Sequence, residues 1–322
     1  MQATSDDLFT AIMDAHAALR PQLPFTPLTR SPALSAALGC DVWLKCDHLQ
    51  ATGAFKLRGA SNKIRLLDAA ARRDGVITSS TGNHGLAVSY AGRNAGVPVT
   101  VYLSTATKPM KIDAIRALGA EIVMIQGTPL DAEVKARADA ADKGIVYISP
   151  YNDLDVVAGQ GTLGAELMDQ ETGFDAVFVC TGCGGLMGGT GTVMKRLSPK
   201  TLMVGVWPEN SVNMLRSLEA GHIVEVPEQP TLSDGSAGAV EPGSVTFPIC
   251  QAVIDETETV TEAEIADAMR RIAESERWMI EGAAGVAVAG LIKRREQFKG
   301  SKVCVVLCGR NIALDTFLKT VA

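Results

Sequence analysis

The sequence predicts an α/β protein of parallel sheets with flanking helices, folded as two lobes. Three observations carry that prediction. Short β-rich apolar runs alternate with helical segments from Gly75 to Ile148, the pattern of strands joined by crossover helices. A second strand–helix series begins at Asp175 and runs to the last strand near residue 307. The 322 residues, 47% of them hydrophobic, suffice for two well-buried lobes. The expected division inserts a smaller lobe, residues 75–150, into a larger one made of residues 1–74 and 151–322.

The elements follow in order. Leu8, Ile12, Ala15 and Leu19 recur at helical spacing before Pro21, so 7–19 reads as a helix. The segment 24–32 is extended and punctuated by prolines; a short helix over 32–38 stops at Gly39, and 42–46 reads as a strand. Residues 51–59 then place Lys56 between a small, turn-prone entry and a helix beginning at Leu57. In the smaller lobe, strands are expected at 76–79, 99–103, 121–125 and 145–148, with helices after Gly85 and over 108–118 and 130–142. In the larger lobe, the strand 176–180 leads through a glycine loop into a helix at 188–197, followed by a strand at 202–206 and a helix at 210–219. A helix at 262–276, another starting near Ala283 and a strand at 303–307 complete the series, and no linker, repeat or low-complexity segment interrupts it.

Composition narrows the function. A net charge of −6 without a basic stripe argues against nucleic acid and anionic membrane surfaces as partners. The first 21 residues carry acidic residues and no basic segment followed by an apolar run, and no stretch is apolar for long enough to span a bilayer, so a cytoplasmic location is expected. The seven cysteines are odd in number and mostly sit in apolar, strand-like surroundings, which suits buried thiols better than disulfides. Cys180-x-x-Cys183 lacks a second such pair, or paired histidines, to complete a zinc site.

Ligands of open α/β sheets bind beyond the carboxyl ends of strands, and the segments that could carry chemistry all fall there. Lys56 lies near a helix N-terminus, where the macrodipole disfavours the ammonium form and helps to keep an amine or imine available; taken alone it reads as a solvated helix lysine. Gly182-Cys183-Gly184-Gly185 follows the strand 176–180 and can turn backbone amides onto a phosphate, or serve as a tight turn. Ser80-Thr81-Gly82-Asn83-His84-Gly85 follows the strand 76–79 and supplies hydroxyls, an amide and exposed N–H groups, although Ser, Thr and Asn are also ordinary helix caps.

Taken together and in this order, these segments resemble the β-family (fold type II) of pyridoxal-phosphate enzymes, a tryptophan synthase β-like fold, and within it the threonine dehydratase and serine racemase group. The resemblance runs from Thr26-Pro27-Leu28 to Cys308-Gly309-Arg310-Asn311. It implies pyridoxal 5′-phosphate held covalently on Lys56, with its phosphate cradled by Gly182, Cys183, Gly184 and Gly185 in a large cofactor-binding domain. Asn83 is expected at the ring hydroxyl and Cys308 at the pyridine nitrogen. Ser80, Thr81, Gly82, Asn83 and His84, in the small domain, are expected to grip the substrate carboxylate, with Tyr151 and the loop 233–241 bordering the pocket. His84 is equally a structural histidine tied to backbone.

Several positions depart from the family pattern. Cys183 replaces one of four glycines, Cys308 stands where most relatives have serine or threonine, and Arg310 replaces a small residue. Arg310 either points to solvent or recognises an extra anionic group. Thr81 occupies the place of the racemases' second acid/base serine; it keeps the hydroxyl but adds a methyl group and stiffens χ1. Trp207 and Asn213 align with acidic ligands of a divalent metal site found in some relatives, so no metal is expected. Glu241 is either a solvated loop carboxylate or a substrate selector.

The resemblance implies a dehydratase of a β-hydroxy amino acid, with Lys56 and Thr81 as the catalytic candidates. A neutral partner at the ring nitrogen makes a weaker electron sink, which suits β-elimination better than transamination. The combination SSTGNHG, TGCGGLMGG, VWPEN, DGSAGAVEPGS and CGRN looks most like the hydroxyectoine-utilisation dehydratases of ectoine degradation. Threonine or serine dehydration, threo-3-hydroxyaspartate dehydration and serine or amino-acid racemisation are the alternatives. A catabolic role fits a chain that ends shortly after its last strand, and a homodimer is expected from the family.

Overall fold

The computed structural model describes residues 5–322; residues 1–4, part of the amino-terminal segment read above, lie outside the described residues. The chain begins with α1 (Ser5–Leu19), β1 (Leu28–Arg30), α2 (Pro32–Leu38), β2 (Asp41–Lys45), α3 (Lys56–Arg65) and α4 (Ala69–Asp74). It continues through β3 (Val76–Ser79), α5 (Asn83–Ala95), β4 (Val99–Ser104), α6 (Pro109–Ala117), β5 (Glu121–Ile125), α7 (Pro129–Lys143) and β6 (Val146–Tyr147). These four strands form a wholly parallel sheet in the order β5-β4-β3-β6. Next come α8 (Leu154–Gln170), β7 (Ala176–Cys180), α9 (Gly185–Leu197), β8 (Leu202–Pro208), α10 (Asn213–Ala220), α11 (Thr246–Val253) and β9 (Glu256–Val260). The chain closes with α12 (Glu262–Glu276), α13 (Gly282–Lys293), β10 (Lys302–Val306) and α14 (Leu314–Val321). The second sheet has the order β1-β2-β10-β7-β8-β9, and only its edge strand β1 runs antiparallel.

Local chemistry explains where many of these elements begin and end. Ser31 caps α2 by accepting from the Leu34 N–H, Pro32 opens the helix, and Gly39 closes it at φ 71°. Thr128 with Asp131 and Thr261 with Glu264 form reciprocal capping boxes at α7 and α12. The six-stranded sheet carries the larger core, in which Phe178, Val204, Val305 and Trp207 are buried between flanking helices. A second core joins Leu57, Ala60 and Ile64 of α3 to Val76, Val88 and Val101, so α3 packs against the four-stranded sheet's unit although it precedes residue 75.

The strands expected from the sequence are present, with ends shifted by a residue or two, and Lys56 opens α3 instead of preceding it. Helix α8 was not expected. It is buried on nearly every face from Val156 to Leu167, and Gly159, Gly161 and Gly164 interrupt its apolar run, so no 3.6-residue stripe marks it. Those glycines let it touch its neighbours backbone to backbone. A Cβ on Gly159 would stand 2.6 Å from Gly59 Cα, and one on Gly189 of α9 would stand 2.5 Å from the Val157 carbonyl. Strand β9 and helices α4, α11 and α14 were also missed. Among the described residues, no helix is long and apolar enough to cross a membrane.

Candidate active site

The carboxyl ends of β3, β7 and β10 open into one cleft of about 990 Å³. Its lining includes Lys56, Thr81, Asn83, Tyr151, Cys183 and Cys308, residues separated by up to 252 positions in the chain. Lys56 is placed by the end of β10. The Phe55 N–H donates to the Cys308 carbonyl at 2.9 Å, the Arg310 N–H donates to the Gly53 carbonyl at 2.9 Å, and Ala54 bridges to Gly309. Below it, Arg58 is held in a buried ion network by Asp47, at 2.7 and 2.8 Å, and by Glu166 at 3.0 Å, with Lys45 completing the charge balance.

The Lys56 ammonium donates to the Pro150 carbonyl at 2.8 Å. Burial lowers its pKa to about 8, opposed by the neighbouring Cys183, Cys308 and Glu281. Desolvation therefore favours the free amine, and it outweighs the local charges.

The glycine loop makes an anion cradle. Gly182 and Gly184 sit at φ 51° and 92°, in the left-handed region open to glycine. A Cβ on Gly184 would come within 2.5 Å of Cys250 Sγ. Among the described residues, the N–H groups of Gly182, Cys183, Gly185 and Leu186 find no acceptor, while that of Gly184 is used within the turn on the Thr181 carbonyl. Gly184 accordingly shapes the loop without lining the cleft. Unsatisfied amides at the start of α9 are what a bound phosphate requires. Cys183 lines the cleft beside them, and burial keeps its thiol protonated, with a pKa pushed up to about 12.

At the end of β3, Ser80 and Thr81 line the cleft, and the Thr81 hydroxyl has no hydrogen-bond partner among the described residues. The amides of Thr81, Asn83 and His84 likewise find no acceptor. Two residues sit differently from the expectation. The Asn83 side chain bridges to the other side of the cleft, donating to Glu281 at 2.8 Å and accepting from Asn311 at 2.6 Å. The His84 ring turns away from the cleft and donates to the Ile148 carbonyl at 3.0 Å; burial and Lys56 hold its pKa near 3, so it is a neutral structural histidine. Gly82 is also absent from the lining.

Across the cleft, Cys308 is buried, and its pKa is raised well above the ordinary thiol value by burial and by Cys180. Tyr151 lines the wall, and its hydroxyl accepts from the Glu241 N–H at 3.0 Å. Glu241 is not a free carboxylate, because Arg137 and the Asn152 amide both bind it. Arg310 is exposed and outside the lining. Trp207 is buried with its indole N–H on the Gly182 carbonyl at 3.1 Å, and the Asn213 amide donates to Glu228 at 3.0 Å.

Sequence reasoning missed Glu281. It is buried, lines the cleft and takes two hydrogen bonds, from Asn83 and from the Asn311 N–H at 2.9 Å. Desolvation raises its pKa to about 7, with Asp234 adding to the rise and the two hydrogen bonds opposing it. The available signal was an acid directly before the small-residue run Gly282-Ala283-Ala284-Gly285, where a helix start and a close backbone approach coincide. Glu133, Glu225 and Glu228 were also unforeseen in the lining, and they leave Lys56 as its sole Lys or Arg.

A part-buried amine of lowered pKa beside an amide cradle fits the pyridoxal phosphate that the resemblance implied. Comparison with known proteins agrees. The family model described as pyridoxal-phosphate dependent enzyme matches residues 19–309. The L-threonine ammonia-lyase of Thermotoga maritima is 37% identical over 305 residues, which cover 94% of this chain and 75% of that protein. The L-threo-3-hydroxyaspartate ammonia-lyase of a Pseudomonas species is 35% identical, with 91% of each chain covered. Among solved structures, the processed form of threonine deaminase isoform 2 from Solanum lycopersicum matches with a TM-score of 0.94 at 33% identity, covering 98% of this chain and 93% of that one.

Proposed function

The chain belongs to the pyridoxal-phosphate-dependent enzymes, and on that premise we propose that it is a lyase that dehydrates a β-hydroxy amino acid, releasing a 2-oxo acid and ammonia. The observation that carries the proposal is the part-buried Lys56 amine, with a pKa lowered to about 8, set between the amides that follow β3 and β7 and have no acceptor among the described residues. When bound, pyridoxal phosphate supplies the electron sink that makes the substrate's α-hydrogen acidic.

The chain's own residues divide the remaining work. Lys56 holds the cofactor, and its freed amine takes the α-proton. Gly182, Cys183 and Gly185 hold the phosphate through their backbone, with Gly184 setting the turn. The amides of Thr81, Asn83 and His84, with the Ser80 and Thr81 hydroxyls, hold the substrate carboxylate, and Tyr151 closes one wall. Asn83, fixed by Glu281 and Asn311, keeps one amide hydrogen for the cofactor's ring hydroxyl. The Cys308 thiol offers the ring nitrogen a neutral partner. Residues 75–150 act as the small domain that brings the carboxylate site to the cofactor site.

The charge of the cleft bears on the substrate. Glu133, Glu225, Glu228, Glu241 and Glu281 line it against the one Lys56 among the described residues. A second substrate carboxylate would enter a cleft already lined by carboxylates, so an uncharged or cationic side chain is favoured over 3-hydroxyaspartate. That preference supports threonine, serine or the hydroxyectoine-derived amino acid, the last in line with the motif resemblance. The same resemblance supports a homodimer acting in amino-acid catabolism, and the acidic amino-terminal segment supports a cytoplasmic location.

Turnover of L-threonine, L-serine, L-threo-3-hydroxyaspartate and a hydrolysed hydroxyectoine preparation, followed as 2-oxo acid and ammonia, tests the reading. Lys56→Ala should lower kcat by at least about 10²–10⁴-fold, the usual worth of a positioned general base. Release of 2-oxo acid by that variant at more than trace rates would sink the assignment. The unpartnered Thr81 hydroxyl favours one second reading, an amino-acid racemase, which would erase optical rotation without releasing ammonia.

A further inference from the structure

The phosphate cradle depends on the direction of its carbonyl groups as much as on its free amides. A trans peptide unit points its C=O and its N–H to opposite sides. Whatever holds the carbonyl of one residue therefore aims the amide of the next. Two side chains outside the loop make such contacts. The Trp207 indole N–H donates to the Gly182 carbonyl at 3.1 Å, and the Thr246 hydroxyl donates to the Cys183 carbonyl at 2.7 Å.

The first contact aims the Cys183 N–H, which has no acceptor among the described residues, away from the indole. The second aims the Gly184 N–H, which closes the turn on the Thr181 carbonyl at 2.9 Å. Both donors are themselves fixed. Trp207 is 1% exposed and its ring lies where a Cβ on Gly205 would stand, 2.7 Å from the ring edge. Thr246 is fully buried, and its hydroxyl also pairs with that of Ser244 at 2.8 Å. An indole has one polar hydrogen and no acceptor, so the Gly182 carbonyl takes its whole hydrogen-bonding capacity.

We propose that Trp207 and Thr246 are positioning residues for the cofactor phosphate: Trp207 holds the Gly182 carbonyl so that the Cys183 N–H stays free for the phosphate, and Thr246 holds the Cys183 carbonyl so that Gly184 closes the turn that shapes the loop. The inference rests on the assignment of the 182–186 loop to the phosphate. Neither side chain lines the cleft, so both act through the backbone.

The test compares two probes, pyridoxal 5′-phosphate and pyridoxal, titrated into cofactor-free wild type, Trp207→Phe, Thr246→Val and Thr246→Ser. Bound cofactor is followed by its absorbance. Trp207→Phe and Thr246→Val should each raise the Kd for pyridoxal phosphate about tenfold, the worth of one buried hydrogen bond, and leave that for pyridoxal within about twofold. Thr246→Ser, which keeps the hydroxyl, should restore tight binding. An unchanged Kd for pyridoxal phosphate in both variants would overturn the proposal. So would an equal rise for both probes, which marks a general loosening of the fold. Should Trp207→Phe fail to fold, the Val and Ser variants at Thr246 give the same decision. If wild type discriminates between the probes as expected yet releases no ammonia from any substrate, the dehydratase reading fails while the phosphate assignment stands.

Discussion

Glu281 shows how a single residue ties the electrostatics of the cleft to stability. Its carboxyl has a pKa raised from 4.5 to about 7, chiefly by desolvation, so the folded state binds more protons than the unfolded chain between those values. Stability therefore falls as pH rises from about 4.5 to 7 and is level above. Glu281→Gln removes the titration and keeps an oxygen for the Asn83 amide. Thermal melting of both proteins from pH 5 to 8 should show wild type losing ground to the variant through that window, by on the order of 3 kcal/mol in full. Parallel curves would show that the carboxyl stays ionised throughout. The residue also explains a limit of sequence reading: Glu281 has no spacing relation to Lys56, Asn83 or Asn311, and only the fold brings them together.

At the scale of elements, α8 is the least legible helix, buried without a break from Val156 to Leu167. Its contacts with α3 and α9 are made through glycines, whose missing side chains allow backbones to touch. Gly189→Ala would place a methyl group 2.5 Å from both the Gly161 nitrogen and the Val157 carbonyl, atoms that have no rotamer to yield. Urea denaturation should show a loss of about 1–3 kcal/mol, typical of overpacking, with the larger value expected because backbone must move. A change below about 0.5 kcal/mol would mean that the helices separate at little cost. The amphipathic elements were legible by contrast: α1 and α12 each bury one face, and the apolar residues of each recur at helical spacing.

At the scale of the whole molecule, elements beside the two sheets are tied across the cleft by a few polar bridges. Asn83 reaches Glu281 and Asn311, and Arg137 of α7 reaches Glu241 of the loop before α11. The Arg137–Glu241 pair is partly exposed, with side chains 35% and 25% accessible, so its worth is modest. A double-mutant cycle with Arg137→Ala and Glu241→Ala should give a coupling of about 0.5–1 kcal/mol in stability. Each single change should raise KM by several-fold and lower kcat less, because the pair holds the cleft wall at Glu241 and does not contact Lys56. Additive effects would show that the bridge does not form in solution.

By itself, the sequence determined the α/β class, most of the strands, the three strand-end motifs and the lysine that lines the cleft between them. These are local properties: strand–helix alternation, turn glycines and short motifs survive in any single stretch of chain. Only the tertiary structure decided that Glu281 belongs to the site, that Asn83 bridges the cleft, that the His84 ring does not face it, and that Glu241 is already paired. Those outcomes depend on desolvation and on contacts between residues as far apart as 228 positions, which no local pattern encodes. The glycines of α8 and α9 belong with them, because whether a missing side chain marks a turn or a close helix contact is fixed by what packs against it.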